Sequence, residues 1–555
     1  MSETGSLGES QPMDQRANRR TEIGTLRVGS LAEALRPNVL ATLGTSELAA
    51  FLTERRWYGA KAGAPSAARV RDVVALAWEG GPFAIARVEV VPAGGGAAAV
   101  YQLPLCVRSA QELGDAPPTS IVARVVAGDE EGVLFDAIED GAFLRAIAES
   151  FGKGAAFASD GHRWIVEPIG AKSLVLPPNA DLRLGSAEQS NTSVIIDQLA
   201  ILKLFRKLEP GPNPDVELTR FLTVDAGFAH TPVLLGEIHF EDDGSGERTV
   251  AGMLQEFLPK SADAWRYALD RGRPYFEAAQ DAEPRNAFVP EAERLGTITR
   301  ELHDTLGRGT AGGGGGDVEF ARQRVTREHL TRWAASASEW VTRALTLLER
   351  QLGAKALPKE RAAEAAALVR RRDQFLRDMN EIVETVGGDA GCAIRIHGDY
   401  HLGQVLRTAS DDFMIIDFEG EPARTLAERR QKASPLRDVA GMLRSFAYAA
   451  ATLGMEAKKL DMPTRELRIG RWERDTRQAF LRGYLAGGAG SGRVPAAGGR
   501  VDADVEILPS DAEHTRVLLR LFETEKAFYE LAYELNNRPD WVWIPLRGIA
   551  KLMTR

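Results

Sequence analysis

At 555 residues, with 44% hydrophobic and 26% charged side chains, the chain reads as a folded protein of three or four domains of roughly 150 residues, not a coiled coil, a collagen or a disordered polymer. Its 69 basic and 78 acidic residues leave a formal charge of −9, which argues against nucleic acid or an anionic membrane as partner. No apolar run reaches the ~18–20 residues that span a bilayer, Met1–Gly24 lacks an apolar signal core, and the two cysteines, Cys106 and Cys392, make neither a disulfide framework nor metal-ligand spacing.

The cytoplasm is therefore the expected compartment. Residues 1–25 are polar and bury too little to order themselves, so a disordered tail is expected over residues 1–30. The runs Val70–Trp78, Phe83–Val91 and Val100–Val107, punctuated by Glu79-Gly80-Gly81 and by Ala93–Ala99, predict a three-stranded meander. Pro117-Pro118 reads as a linker, Phe135–Phe151 as a helix, and Thr192–Ile196 with Leu199–Phe205 as a tight hairpin. The C-terminal half is mostly helical. Leu295, Ile298, Leu302 and Leu306 share one helix face, as do Leu436, Val439, Ala440, Leu443 and Ala447. The second of these helices starts at Ser434-Pro435, a hydroxyl N-cap followed by proline at the first helical position. Gly312–Gly316 and Gly487–Gly499 read as surface loops, and no internal repeat is present.

The stretch Ile394–Glu421 carries the most chemistry. Alternating Ile394-Arg395-Ile396 delivers His397-Gly398-Asp399, and Gln404 follows five residues later. Val405-Leu406 and Phe413–Ile416 then predict two short strands, the second ending on Asp417. Phosphoryl transfer needs a carboxylate beside the acceptor hydroxyl and hard oxygen ligands for Mg²⁺. Asp399 on its loop suits the first task, and Gln404 with Asp417 suits the second.

HGDYHLGQ resembles the catalytic loop of the aminoglycoside phosphotransferase and protein-kinase-like superfamily, and DFEG resembles its Asp-Phe-Gly metal motif. Gln404 replaces the usual Asn and Glu419 the usual Gly. Together these departures look like the maltokinases, which read HGDLHLGQ and DFEGEP. Arg55-Arg56-Trp57-Tyr58-Gly59 resembles the signature of the maltokinase cap, and Ser434–Asp438 also matches.

The resemblance implies an α+β, protein-kinase-like bilobal fold with a β-rich N-lobe, a helical C-lobe and an N-terminal α/β cap subdomain. The implied divisions are a cap over 31–118, an N-lobe and intermediate subdomain over 119–258, and a C-lobe over 259–555. It implies ATP and Mg²⁺ as cofactors and maltose as substrate, phosphorylated at the anomeric hydroxyl for glycogen or α-glucan synthesis. A monomer is expected, with trehalose synthase as a candidate associate. Two alternatives stand: a kinase for another sugar such as glucosamine, and a non-catalytic nucleotide-binding pseudokinase.

Residue roles follow. Asp399 would be the catalytic carboxylate, with His401 near the sugar or a phosphate. Glu188–Ser193, through Gln189, Ser190 and Asn191, looks like the loop over the nucleotide phosphates. Lys203, in a strand among Ile201 and Phe205, needs an anion for its ammonium. The superfamily places the phosphate-binding lysine there and pairs it with an acid in the next helix, here Glu217. Met253–Leu258 looks like the hinge, with Gln255 and Phe257 offering backbone to adenine. Tyr529 and Tyr533, four apart, share a helix face beside Glu530 and Glu534, with Trp541 and Trp543 beyond Pro539. Aromatic faces with acids suit sugar recognition, so Tyr529, Tyr533, Glu534, Trp541 and Arg437 are the expected acceptor residues. Arg437 is also a candidate ion-pair partner, His397 a structural residue that bonds backbone, and His303 a satisfied core residue.

Overall fold

The computed structural model describes residues 23–58, 63–109, 111–112, 118–170, 174–185, 191–309, 317–357, 359–422, 424–487 and 506–553. They form two compact units, one from the residues up to Val216 with Val233–Leu258, the other from Glu217–Pro232 with the residues from Pro259 onward. No described helix is long and apolar enough to cross a membrane.

The first unit holds two sheets. In the first, β1 (Thr25–Arg27), β2 (Ala67–Leu76), β3 (Phe83–Val91), β4 (Ala99–Ser109), β5 (Ile121–Ala127) and β6 (Glu130–Asp136) take the order β1-β5-β6-β4-β3-β2. The expected meander is β2–β4. Its runs are nearly continuous rather than alternating because both faces are covered. Ala84, Ala86 and Val88 pack with Leu48, Phe51 and Leu52 of α1 (Thr45–Thr53). Phe83, Ile85 and Cys106 face Phe143, Ile147 and Phe151 of α2 (Gly141–Lys153).

Three expectations are corrected here. Residues 25–27 are not tail: they pair in parallel with β5, since backbone pairing to a sheet edge needs no large side chains; residues 1–22 lie outside the described set. Of the expected linker Pro117-Pro118, Pro117 lies outside the described residues. Pro118 opens a 3₁₀ turn into β5, and β6 returns to pair with β4 at Cys106 and Phe135, so the boundary expected at 118 falls inside one sheet. Phe135 is a strand residue. The helix begins only at Gly141, because the Asp140 carboxylate accepts from the N–H groups of Ala142 and Phe143, both at 3.0 Å.

The second sheet comprises β7 (Ala155–Ser159), β8 (His162–Pro168), β9 (Leu182–Leu184), β10 (Asn191–Ile196), β11 (Ala200–Phe205), β13 (Leu234–Asp242) and β14 (Arg248–Glu256), in the order β7-β8-β13-β14-β11-β10-β9. The short β12 (Lys207–Leu208) pairs back onto β4. The hairpin β10–β11 is as expected, closed by Leu199 N–H to Ile196 O at 3.0 Å with Asp197 at φ 51°. Opposed residues in the ladders share a face. Lys203 lies across from Ser193 and Met253, and Ile201 across from Gln255, so these five side chains occupy one face. Val194, Leu202, Leu204 and Leu254 take the other and join the core under α2. Next to the sheets, Arg206 pairs with Asp136 at 2.8 Å and lies over the Trp57 ring at 5.0 Å, so Trp57 is an aromatic anchor.

The helix α3 (Pro214–Arg220) leads out of the first unit. The second unit is built from α4 (Ala264–Glu277), α5 (Val289–Leu306), α6 (Arg327–Gly353), α7 (Lys359–Val369), α8 (Arg372–Val386), α9 (Leu436–Glu456), α10 (Met462–Ala486), α11 (Ala512–Asn537) and α12 (Trp543–Leu552). Its strands are β15 (Ala262–Asp263), β16 (Gln323–Arg324), β17 (Cys392–Ala393), β18 (Val405–Arg407) and β19 (Phe413–Ile415), in two small sheets, β15-β18-β19 and β16-β17. The apolar faces of α5 and α9 read from the sequence are buried in the main core with Phe446 and Trp472. Pro435 is already helical (φ −59°, ψ −20°) and the Ser434 hydroxyl accepts from Leu436 N–H at 3.3 Å, so the cap is the expected one. The glycine run 312–316 and residues 488–499 of the second lie outside the described set.

Helices α5 and α10 cross at van der Waals distance through two glycines. A Cβ on Gly296 would run into the Phe480 carbonyl, and one on Gly483 into the Glu293 carbonyl. Gly296→Ala should therefore destabilise the fold by about 1–3 kcal/mol, the range for overpacking. A thermal melt that matches wild type would show that the helices move apart without cost.

Candidate active site

Asp399 is placed from behind by a buried acid. The Asp438 carboxylate, in the first turn of α9, accepts from the N–H groups of His397 (2.8 Å) and Gly398 (2.9 Å). Its Oδ2 also meets His303 Nε2 at 3.1 Å, and His303 Nδ1 meets the Tyr484 hydroxyl at 2.9 Å. Burial pushes Asp438 up, but the His303 bond, nearby histidines and backbone N–H outweigh it and hold the carboxyl below its usual range. His303 is thus the satisfied core residue expected, yet it acts on the loop through Asp438. His397 bonds the Ile416 carbonyl through Nε2 at 3.0 Å, as its structural reading requires, and so ties the Asp399 loop to the residue before Asp417. Gly398 sits at φ 84°, where L-residues are strained, and a Cβ there would come within 3.3 Å of Gly420 Cα.

The hairpin β18–β19 pairs Val405 with Ile415, and Ile416 N–H donates to Gln404 O at 3.0 Å. That register brings the two predicted metal residues together. Gln404 Nε2 donates to Asp417 Oδ2 at 2.8 Å. Asp417 holds φ 68°, a left-handed conformation that Asp tolerates better than most residues.

Asp399 carries a second neighbour. Lys526 Nζ of α11 lies 3.4 Å from Asp399 Oδ1. His401 Nε2 lies 3.9 Å from Asp399 Oδ2. Gly403 N–H donates to His401 Nδ1 at 3.0 Å, so the proton of the neutral ring resides on Nε2, facing Asp399. Desolvation pushes His401 below the usual histidine range, against the pull of Asp399.

Asp399 opens onto a cavity of about 270 Å³ lined also by Trp333, Trp340, Phe522, Tyr529 and Glu421. Trp340 and Tyr529 meet edge to face at 5.0 Å. Burial, then the Glu421 charge, push the Tyr529 phenol up to about 12. Arg437 lines the cavity too, with its guanidinium 2.9 Å from Glu525 and over the Phe522 ring at 5.0 Å. It is the ion-pair partner expected.

Three expected sugar residues do not line this cavity. Tyr533, 45% exposed, is one helical turn beyond Tyr529. Glu534 is buried and accepts from the Tyr448 hydroxyl (3.0 Å) and from Arg538 (2.7 Å). Trp541 stacks on Tyr448 at 6.4 Å with Arg538 over its ring. Helical spacing placed 529 and 533 on one face correctly, but the cavity ends at the turn that carries Tyr529. The residues missed are Trp333, Trp340, Glu421, Phe522, Glu525 and Lys526. A signal existed: Trp333 and Trp340 are seven apart, and Phe522, Glu525, Lys526 and Tyr529 share a face at spacings of three, four and seven.

Two of the roles expected in nucleotide binding are corrected. Lys203 is buried with its anion, but that anion is Asp215, at 3.0 Å, not Glu217. Residues two apart on α3 point to opposite sides of the helix. Glu217 instead takes Arg395 at 2.9 Å and Arg430 at 2.8 Å. Burial raises the Glu217 carboxyl, and the two arginines more than reverse it. Arg395 is 1% exposed. Removing its partner by Glu217→Ala should cost about 3–5 kcal/mol, the penalty of an orphaned buried charge. A denaturant midpoint within error of wild type would contradict it. Phe257 has no N–H to give a base, since it donates to Leu199 O at 3.0 Å. Gln255 sits in the ladder between β11 and β13 on the Lys203 face. Asn191 opens β10, whereas Gln189 and Ser190 lie outside the described residues.

The family model of the maltokinase N-terminal cap domain matches residues 51–140, which carries the cap past 118. A glucosamine kinase of Mycolicibacterium smegmatis is 28% identical over 370 residues, covering 66% of this chain and 78% of its own. One of Streptacidiphilus jiangxiensis is 24% identical over 369 residues, covering 66% and 72%. Among solved structures, a glucosamine kinase in complex with glucosamine, ADP and inorganic phosphate aligns with TM-score 0.62 at 19% identity, over 93% of this chain and 99% of that one. A glucosamine kinase in its crystal form B gives TM-score 0.60 at 18% identity, over 93% of this chain and 99% of that one. The chain thus has the protein-kinase-like fold with a maltokinase-type N-terminal cap.

Proposed function

We propose that this protein, a kinase fold with a maltokinase-type cap, transfers the γ-phosphoryl group of ATP to the anomeric hydroxyl of maltose. The product would be maltose 1-phosphate for α-glucan synthesis. The observation that carries the reading is Asp399 opening onto a cavity walled by Trp333, Trp340 and Tyr529. Aromatic faces suit the apolar faces of a sugar ring, and the surrounding charged groups suit its hydroxyls. The related glucosamine kinases support nucleotide-dependent phosphorylation of a sugar. The HGDYHLGQ and DFEGEP segments and the matched cap support maltose. Glucosamine is the second reading, favoured by the relatives' own substrate.

In the mechanism, Asp399 orients the acceptor hydroxyl and takes its proton as the oxygen–phosphorus bond forms and the bond to the ADP oxygen breaks. His401, with its Nδ1 taken by the Gly403 N–H and its proton on Nε2, has no free lone pair and leaves Asp399 as the base. Gln404 and Asp417 offer a carboxamide and a carboxylate, the hard oxygen donors that Mg²⁺ takes, and a turn of the Gln404 amide presents its oxygen at the same spot. Bound there, the ion would neutralise phosphate charge. Lys203 would supply further positive charge to the nucleotide. Asp438 holds the loop rigid, so that positioning and electrostatics do most of the work.

The test is ATP turnover with Mg²⁺ against maltose, glucose, glucosamine, trehalose and an aminoglycoside. Selective turnover of maltose, with its reducing end blocked by phosphate, would support the reading. Selective turnover of glucosamine would replace the acceptor, and silence with every sugar would remove the sugar-kinase reading.

A further inference from the structure

The cavity beside Asp399 is electrically balanced. Six basic and five acidic side chains line it among the described residues. Each carboxylate is matched. Asp399 has Lys526 at 3.4 Å, Glu421 has Arg424 at 2.8 Å, and Glu525 has Arg437 at 2.9 Å with the Ser336 hydroxyl at 2.7 Å. Glu428 closes a capping box on Thr425 N–H at 2.8 Å, and Asp438 is consumed by the loop and His303. Lys526 Nζ also lies 4.8 Å from the centre of the Tyr529 ring, so the aromatic wall that would carry a sugar already faces a cation. An incoming ammonium therefore meets no unbalanced carboxylate, and it meets a resident ammonium on the one acid that must touch the acceptor.

Resting on the sugar-kinase reading, we propose that Lys526 is a specificity-determining residue. Its ammonium occupies the place where an amino sugar would set its own beside Asp399, so that the site accepts neutral sugars and rejects cationic ones. A 2-amino group is one carbon from the anomeric hydroxyl. When that hydroxyl rests on Asp399, the amine lies within a few ångströms of Nζ. Two like charges at that range in a part-buried site separate the neutral sugar from its 2-amino counterpart by about 100-fold. This divides the chain from relatives that take glucosamine: the fold is shared and the acceptor charge is not.

The experiment uses the full chain. The specificity constant kcat/KM is measured for the neutral sugar that it turns over best and for the 2-amino counterpart of that sugar. Wild type should favour the neutral sugar by about 100-fold. Lys526→Met should shrink that preference at least about tenfold, mainly through KM of the amino sugar, while Lys526→Arg, which keeps the charge, should retain it. A wild type that turns over both sugars alike, or a preference unchanged in Lys526→Met, overturns the proposal and leaves the sugar-kinase reading standing. No turnover of any sugar overturns both. A second measurement needs no variant. Calorimetric affinity of wild type for the amino sugar should rise toward that of the neutral sugar as pH is raised and the amine loses its charge. An affinity flat with pH overturns the proposal.

Discussion

Asp399→Asn is expected to lower kcat by about 10²–10⁴-fold, the range for a general base, with ATP binding retained. The substitution keeps the shape and removes the proton acceptor. The loop should hold its conformation, because it is fixed by Asp438 on the His397 and Gly398 amides and by His397 on the Ile416 carbonyl, none of which involves the Asp399 side chain. Retained nucleotide affinity in a titration, together with the lost turnover, separates lost chemistry from lost folding. A mutant with near-wild-type kcat would remove Asp399 as the base. His401 offers no substitute, since desolvation and the Gly403 N–H leave a neutral ring whose proton already points at Asp399.

Changes at Asp417 should weaken Mg-ATP rather than slow the chemistry alone. Groups that merely hydrogen-bond a metal ligand cost about 10–100-fold in metal affinity, so loss of a charged ligand should cost about 100-fold or more. Asp417→Ala confounds that loss with backbone strain, because alanine is poorly suited to φ 68°. Asp417→Asn is the cleaner variant. Asparagine tolerates the left-handed region and can still take the Gln404 bond, so it removes charge and keeps shape. Calorimetry with ATP, with and without Mg²⁺, reads the difference. An Mg-ATP affinity unchanged in both variants would take Asp417 out of the metal site. Weakening in the alanine variant alone would assign its role to backbone geometry.

The Asp399 loop and the approach of Gln404 to Asp417 were legible because their geometry is local. Val405–Arg407 and Phe413–Ile415 form a hairpin, and strand periodicity with one tight turn suffices to bring Gln404 to Asp417. The strand of Lys203 and its need for an anion were legible for the same reason: a buried ammonium must be paired. Which anion was not legible from family pattern, but the period of the helix decides it, since Asp215 and Glu217 point opposite ways on α3. The cap boundary misled because Pro-Pro reads locally as a break, whereas sheet pairing between β4 and β6 is made by residues far apart in sequence.

The strands and helices with strong periodicity, the Ser434 cap, and the identity and order of the acids around Asp399 follow from residue order alone. These depend on spacings of two to four residues or on one turn. The cavity beside Asp399 and its charge depend instead on long-range packing. Its walls come from α6, α11 and the loops beside Asp399, elements that lie up to about 190 residues apart, as in the Ser336–Glu525 bond. No local rule relates such segments. Packing of the helical core chose Tyr529 over Tyr533 and set Lys526 beside Asp399, a pairing of residues 127 apart that no local pattern foretells.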